Sequence, residues 1–273
     1  MSELIDQLLA KAREAQKVIE FWPQEKVDEM VLAAGWEAYK RETAETVARL
    51  AVEETGLGVY EDKVLKHQKK TIGVLRDLQG EKTVGVIERV PEKGLVKIAK
   101  PMGVIGAITP MTNSSSTMPC NGLMILKARN AVIFAPHPRA KKTCAVTCEE
   151  MRKGLAKVGA PLDLVQYIEE PSIELTQELM SKVDLVLATG GAGVVKPAYS
   201  SGKPAYGVGA GNATVVVETA DLPVTAAKIC KGKIFDNATS CSAENNIVIQ
   251  ESIFDDLLEE LKKTGGYLVT GEE

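Results

Sequence analysis

The chain has 273 residues, of which 45% are hydrophobic and 26% charged, enough for one large or two modest domains around a buried core. Lys and Arg number 33 against 37 Asp and Glu, and a net charge of −4 gives no electrostatic footprint for nucleic acid. Five cysteines at irregular spacing are not a disulfide framework; they fit a reducing cytoplasm.

The first segment, "MSELIDQLLAKAREAQKVIEFW", lacks a basic stretch followed by an apolar run. Leu4, Ile5, Leu8, Leu9 and Ala12 recur at helical spacing, which predicts an amphipathic helix packed on its own domain, with a targeting tag as the other reading. Nothing in the chain approaches the roughly 20 apolar residues that span a bilayer, so no membrane partner is expected. Helices continue to about residue 78, with Pro23 at a start and Gly56 at a stop. Residues 82–100, "KTVGVIERVPEKGLVKIAK", alternate around "PEKG" and predict a hairpin. Its branched, unpaired edges make it a candidate contact between copies of the chain.

From Met102 the pattern changes. "GVIGAIT", "AVIFAP", "DLVQYIEE" and "VDLVLATGG" read as buried parallel strands separated by helical stretches, with "ATVVVE" as a further strand. Strands alternating with helices predict a doubly wound, mostly parallel, Rossmann-like α/β sheet. Ligands of such sheets sit at the carboxyl ends of the strands. The helix "DLPVTAAKICKGKIF" leads to the cysteine loop. After it come "NIVIQ" and a charged helix, read as the start of a second α/β domain. The expected division is a cofactor-binding domain over 1–218, including the hairpin, and the first part of a catalytic domain over 219–273.

The loop "FDNATSCSAENNI" sets Cys241 among small residues, Thr239, Ser240, Ser242 and Ala243. There a thiolate is accessible and backbone N–H groups can face an oxyanion. A buried structural cysteine is the other reading. Cys120, Cys144, Cys148 and Cys230 are taken as structural. His67 and His137 are the only histidines, and no metal site is expected. In "TPMTNSSS", Asn113 offers a neutral donor for an oxyanion, although turn chemistry accounts for the same residue types. Gly190, Gly191 and Gly193 follow a strand and precede a helix, where a phosphate can approach the backbone; this is not GxGxxG. In "GVGAGN", Gly207, Gly209 and Gly211 let backbone crowd against a flat ring or a thiol.

Taken in order, "KPMGVIGAITPMTNSSST", "ARNAVIFAPHPRAKK", "DLVLATGGAGVVKPAYSSGKPAYGVGAGNA" and "FDNATSCSAEN" resemble the CoA-acylating aldehyde dehydrogenases. That group includes the aldehyde dehydrogenase half of bifunctional aldehyde/alcohol dehydrogenases and the succinate-semialdehyde and sulfoacetaldehyde enzymes. The resemblance runs from about residue 50 to the end and covers the front part of the family's usual length. It implies that Cys241 is the catalytic cysteine and Asn113 the oxyanion-hole asparagine. It places Thr109, Pro110, Met111 and Thr112 beside the nicotinamide of NAD or NADP, and His137, Pro138 and Arg139 near the adenosine end. Thr189, Gly190 and Gly191 fall at the pyrophosphate, Gly209 in the second glycine cluster of the cofactor site, and the hairpin becomes a homo-oligomer arm.

Two departures stand out. Where hydrolytic relatives carry the acidic residue of "ELGGK", this chain has "GVGAGN", without a carboxylate to activate water. Coenzyme A, whose thiol needs less help than water, is therefore the expected acyl acceptor. Ala135 stands where the hydrolytic enzymes have a ribose-binding lysine, and Arg139, Lys141 and Lys142 are either candidates for a 2′-phosphate or a solvated basic helix start. The expected activity is reversible oxidation of an aldehyde, through a cysteine thioester, to an acyl-CoA. The polar loop around Ser240, Ser242 and Asn245 favours a small anionic aldehyde, with acetaldehyde, a hydrolytic enzyme and a non-catalytic nucleotide-binding module as alternatives. The 273-residue chain itself is expected to bind cofactor and turn over poorly.

Overall fold

The computed structural model describes residues 3–218, 221–269 and 271. Four helices open the chain: α1 (Glu3–Ile19), α2 (Gln24–Tyr39), α3 (Arg41–Thr55) and α4 (Tyr60–Leu78). Pro23 caps α2, and Gly56 ends α3 in a left-handed turn at φ +68°, a conformation that costs a residue with a Cβ. In α1 the buried line is Ile5, Leu9, Ala12, Ala15 and Ile19, with Leu4 turned outward at 42% exposure. This stripe packs α1 on the sheet described below, and Arg13 forks onto Asp184 at 2.7 and 3.0 Å. The expected docking of this helix on its own domain is what the contacts show.

The hairpin is β1 (Gly85–Val90) and β2 (Leu95–Ala99), antiparallel around a turn that ends at Gly94. Val86, Ile87, Leu95, Val96 and Ile98 are all exposed on it.

The central sheet has the order β5-β4-β3-β6-β7, every pair parallel. Its strands are β3 (Val104–Thr109), β4 (Ala131–Pro136), β5 (Val165–Tyr167), β6 (Leu185–Thr189) and β7 (Ala205–Val208). The helices between them are α5 (Ser114–Lys127), α6 (Lys141–Lys157), α7 (Ile173–Lys182) and α8 (Ala192–Tyr199). Every residue of β3 and β4 is buried, as their unbroken apolar runs require of strands covered on both faces. The chain builds outward from β3 to β5, then crosses back to β6 on the other side. That reversal opens a crevice at the carboxyl ends of β3 and β6.

One strand is absent from the sequence reading, and one expected strand lies in another sheet. Strand β7 falls in a stretch whose local pattern shows only a glycine cluster. It is four residues long, and Gly207 lies where a Cβ would come within 2.6 Å of Val195 and 2.7 Å of Tyr199 on α8. The run "ATVVVE" does not extend the main sheet. It forms β8 (Ala213–Val217), which pairs in parallel with β9 (Glu244–Ile249) in a separate sheet. Helices α9 (Leu222–Ile234) and α10 (Phe254–Lys263) cover it, and Val217, Ala226, Ile229 and Leu257 form a second small core. Among the described residues no helix is long and apolar enough to cross a membrane.

Candidate active site

A cleft of about 760 Å³ opens at the carboxyl ends of the main strands. The β3–α5 loop supplies Thr109, Pro110, Met111, Thr112 and Asn113 to its wall. His137 and Pro138 follow β4, Thr189, Gly190 and Gly191 follow β6, and Gly209 follows β7. Cys241 enters from the loop before β9. Residues as distant in sequence as Thr109 and Cys241 thus converge, because the switch-point crevice and the second sheet meet there. Among the described residues, those that line the cleft include no Asp, Glu, Lys or Arg.

Cys241 is the exposed member of the five free cysteines. Cys144 and Cys148 are buried, and burial pushes the Cys120 thiol up to about 11. The loop that presents Cys241 is unusual. Asp236, Asn237 and Ala238 hold φ of +50°, +51° and +57°, a run of left-handed residues without a glycine. Such backbone costs about 1–2 kcal/mol per residue, so something must hold it. The Asp236 carboxylate is the hold: it accepts from Val59 N at 2.9 Å, Thr239 Oγ1 at 2.6 Å, Lys63 Nζ at 3.2 Å and Lys66 Nζ. Burial opposes its charge, but the bonds from Lys66, Thr239 and Val59 prevail and keep the carboxyl below its ordinary range. On the other side, Gly211 lies flat against the nucleophile's backbone. A Cβ there would sit 2.0 Å from Cys241 O and 2.8 Å from Cys241 Cβ.

Asn113 is the N-cap residue of α5, yet its side chain makes no capping bond. Its Oδ1 is buried without a protein partner, as is Thr109 Oγ1 at the end of β3. Polar atoms left unmatched in this way point to a ligand or to water. The orphan Oδ1 accepts from a donor on a ligand or water, and only the Nδ2 of the same amide is a donor that an oxyanion can use. Beside it, His67 is fully buried between Ser115 O at 2.6 Å and Ala38 O at 2.7 Å, which ties the first turn of α5 to α2.

The glycine loop expected to meet a dinucleotide has open backbone. Gly191 caps α8, and a Cβ on Gly191, Gly193 or Gly209 would meet nothing within 4 Å. Open backbone at a helix start is where a pyrophosphate approaches N–H groups. His137 Nδ1 accepts from Arg139 N at 3.1 Å, and burial together with Arg139 pulls the imidazole below its ordinary range, toward the neutral form.

The match to the aldehyde dehydrogenase family runs over residues 1–273. The chain belongs to the aldehyde dehydrogenase family. It is 50% identical over 270 residues to the sulfoacetaldehyde dehydrogenase (acylating) of Bilophila wadsworthia, covering 98% of this chain and 58% of that protein. Its structure matches an acetylating aldehyde dehydrogenase of Geobacillus thermoglucosidasius with a TM-score of 0.92 at 40% identity, over 99% of this chain and 60% of that one. A propionaldehyde dehydrogenase of Rhodopseudomonas palustris, solved with bound CoA and an acylated cysteine, matches with a TM-score of 0.84 at 36% identity, over 98% and 61%. The chain thus spans about three fifths of the length of these family members.

Among the residues that the resemblance places at the catalytic and cofactor sites of this aldehyde dehydrogenase family chain, all but one line the cleft, and the further 2′-phosphate candidates Lys141 and Lys142 lie outside it. The exception is Arg139, whose Nη2 donates to Thr55 O at 2.5 Å and so finishes the C-terminus of α3. The orphan carbonyls of a helix end attract a guanidinium, and the tight turn after Pro138 aims the side chain at them. Sequence reading missed Ser172, Thr176 and Gln177, which line the cleft from the start of α7. It also missed Lys63, Lys66 and Asp236. No local signal marks them: the buried face of α4 is Lys63, Lys66, His67 and Thr71, residue types that read as a solvated face until the fold covers them.

Proposed function

We propose that this chain carries the cofactor site and the nucleophile of a CoA-acylating aldehyde dehydrogenase. The observation that carries the reading is an exposed Cys241 facing a switch-point cleft whose described walls hold no carboxylate. A thioester formed there has no neighbouring base from this chain to activate water, whereas a thiol acceptor needs little activation.

In this mechanism the Cys241 thiolate adds to the aldehyde carbon and gives a thiohemiacetal. Asn113 and the backbone N–H groups near Cys241 stabilise the oxyanion, worth roughly 3 kcal/mol per donor in comparable sites. The nicotinamide of a bound NAD(P) supplies the hydride acceptor. Thr109 to Thr112 form the wall against which its ring would lie, and the α8 start and Gly209 would hold the phosphates. Collapse of the oxyanion with loss of hydride leaves a thioester on Cys241. The CoA thiolate then attacks its carbonyl, and the Cys241 thiolate departs. Each step reverses, so the same residues reduce an acyl-CoA. The test is to omit CoA while aldehyde and cofactor are present. A single acylation of Cys241 that stalls, and is released by CoA, is the expected result; sustained formation of free acid would overturn the reading.

The aldehyde is proposed to be small and anionic, on the strength of the Bilophila relative's substrate. Of the polar residues around the cysteine, Ser240 lines the cleft, whereas Asn245 is turned to Asn212 at 2.8 Å. Five free cysteines suit the reducing cytoplasm as its compartment.

NAD is the proposed cofactor rather than NADP. Of the three basic side chains considered for a 2′-phosphate, Arg139 is bound to Thr55 O and Lys141 to Glu170 at 2.5 and 2.7 Å, while Lys142 is exposed and, like the other two, does not line the cleft. The start of α6, where an anion sits best, is filled by Glu54, which accepts from Lys142 N at 2.8 Å and from Thr143 N and Oγ1 at 2.7 Å. A second anion there meets repulsion. Titration is expected to give a Kd for NAD about tenfold below that for NADP, and Glu54→Gln to narrow the gap several-fold. Equal binding of the two cofactors would refute this choice.

A further inference from the structure

Helix α4 carries two lysines into the interior, where lysines are almost never found unpaired. Lys63 and Lys66 are 1% and 3% exposed, and both ammonium groups meet Asp236, at 0%. Around this trio the packing is closed: a Cβ on Gly58 would lie 2.0 Å from Asp236 Oδ1 and 2.7 Å from Lys63 Nζ. Asp62, one turn before Lys66, accepts the Asp236 backbone N–H at 2.8 Å. Burying three charges is a poor route to stability, since apolar residues of similar volume usually serve as well. What such a cluster supplies is a fixed geometry.

The backbone it touches belongs to the two loops that bear the proposed chemistry. Lys63 Nζ reaches Thr112 O at 3.5 Å, and Thr112 immediately precedes Asn113. Lys66 Nζ reaches Thr239 Oγ1 at 3.4 Å, and Thr239 stands two residues before Cys241. Asp236 holds the left-handed run between α9 and the nucleophile.

We propose that Lys63, Asp236 and Lys66 are positioning residues that moor the Asn113 loop and the Cys241 loop to one rigid helix, so that oxyanion donor and nucleophile keep a fixed separation. This inference rests on the roles proposed above for Cys241 and Asn113. None of the three lines the cleft, so none is assigned a direct part in the chemistry. The two lysines differ in reach: Lys63 joins both loops, and Lys66 serves the cysteine loop alone.

Hydrogen exchange read on peptides covering 109–113 and 235–243 separates these roles. Lys63→Met is expected to raise exchange about tenfold in both peptides, and Lys66→Met in the second only. Because each single change strands a buried charge, the decisive variant is K63M/K66M/D236N, which removes all three charges together. Asn is chosen at 236 because it tolerates the left-handed backbone. The triple variant is expected to melt within a few degrees of the parent and to bind NAD within about twofold. Exchange in both loops should still rise, and kcat should fall about a hundredfold with the cofactor KM unchanged. Retained protection in both loops with kcat within about threefold of the parent would overturn the proposal, as would a triple variant that cannot fold, since the cluster would then serve stability. A parent protein that forms no acyl adduct would sink the proposed function, while the exchange measurements would still decide the mooring.

Discussion

Replacing Cys241 with alanine is expected to abolish acyl transfer while leaving cofactor binding and the fold intact. The thiol is exposed, so its removal opens no cavity in either core. Alanine keeps the Cβ that packs beside Gly211, so the loop has no reason to rearrange. No other cysteine can substitute: Cys144 and Cys148 are buried within α6, Cys120 is held protonated by burial, and Cys230 donates to Thr264 O at 3.4 Å. Loss of the nucleophile from a covalent mechanism typically costs about 10⁴-fold or more in rate. Serine at the same position offers an oxygen that needs a general base, and the described walls provide no carboxylate for one. The measurements are intact mass for the acyl adduct and aldehyde-dependent reduction of NAD. An Ala variant that still acquires an acyl group would place the nucleophile elsewhere and dismantle the mechanism.

The second large effect is expected at Gly211→Ala. The added methyl would overlap Cys241 O, C and Cβ, at 2.0, 2.8 and 2.8 Å. These are backbone atoms and a Cβ, not the end of a flexible side chain, so backbone must shift, in the Gly211 segment or in the cysteine loop. The Asp236 bonds hold the cysteine loop on its other side, and either shift changes where the sulfur stands against the Gly209–Gly211 wall of the cleft. A displacement of about 1 Å from the attack geometry costs on the order of a hundredfold in rate, and overpacking costs about 1–3 kcal/mol of stability. Gly73→Ala, on α4 where a Cβ meets nothing within 4 Å, is the control and should be neutral or slightly stabilising. Steady-state kcat and thermal melting of both variants check this, and a Gly211→Ala protein with unaltered kcat would show that the close approach has no bearing on the chemistry.

The parts of this molecule that can be read from the sequence are those written in local pattern. Strands β3 and β4 are unbroken apolar runs, and "PEKG" between alternating segments marks the hairpin. The loops after the strands are legible because a doubly wound sheet puts its ligands there, and Cys241 because small polar neighbours surround it. What escapes depends on contacts distant in sequence. The pairing of β8 with β9 joins segments on either side of α9, and Val215 opposite Ile247 carries no local mark of that choice. "EDKVLKHQKK" looks like a solvated charged face; only the fold brings Lys63 and Lys66 against Asp236, which stand 173 and 170 positions along the chain from it. Arg139 escapes for the same reason, since its partner, Thr55 O, lies at the end of a helix 84 residues earlier.

Cys241 stands just before β9 in the second sheet, yet its loop is fastened through Asp236 to α4, whose Val74, Leu75 and Leu78 pack on the core of the main sheet. The position of the sulfur is thus shared between two layers, and a change on α4 far from the cleft can be felt at residue 241.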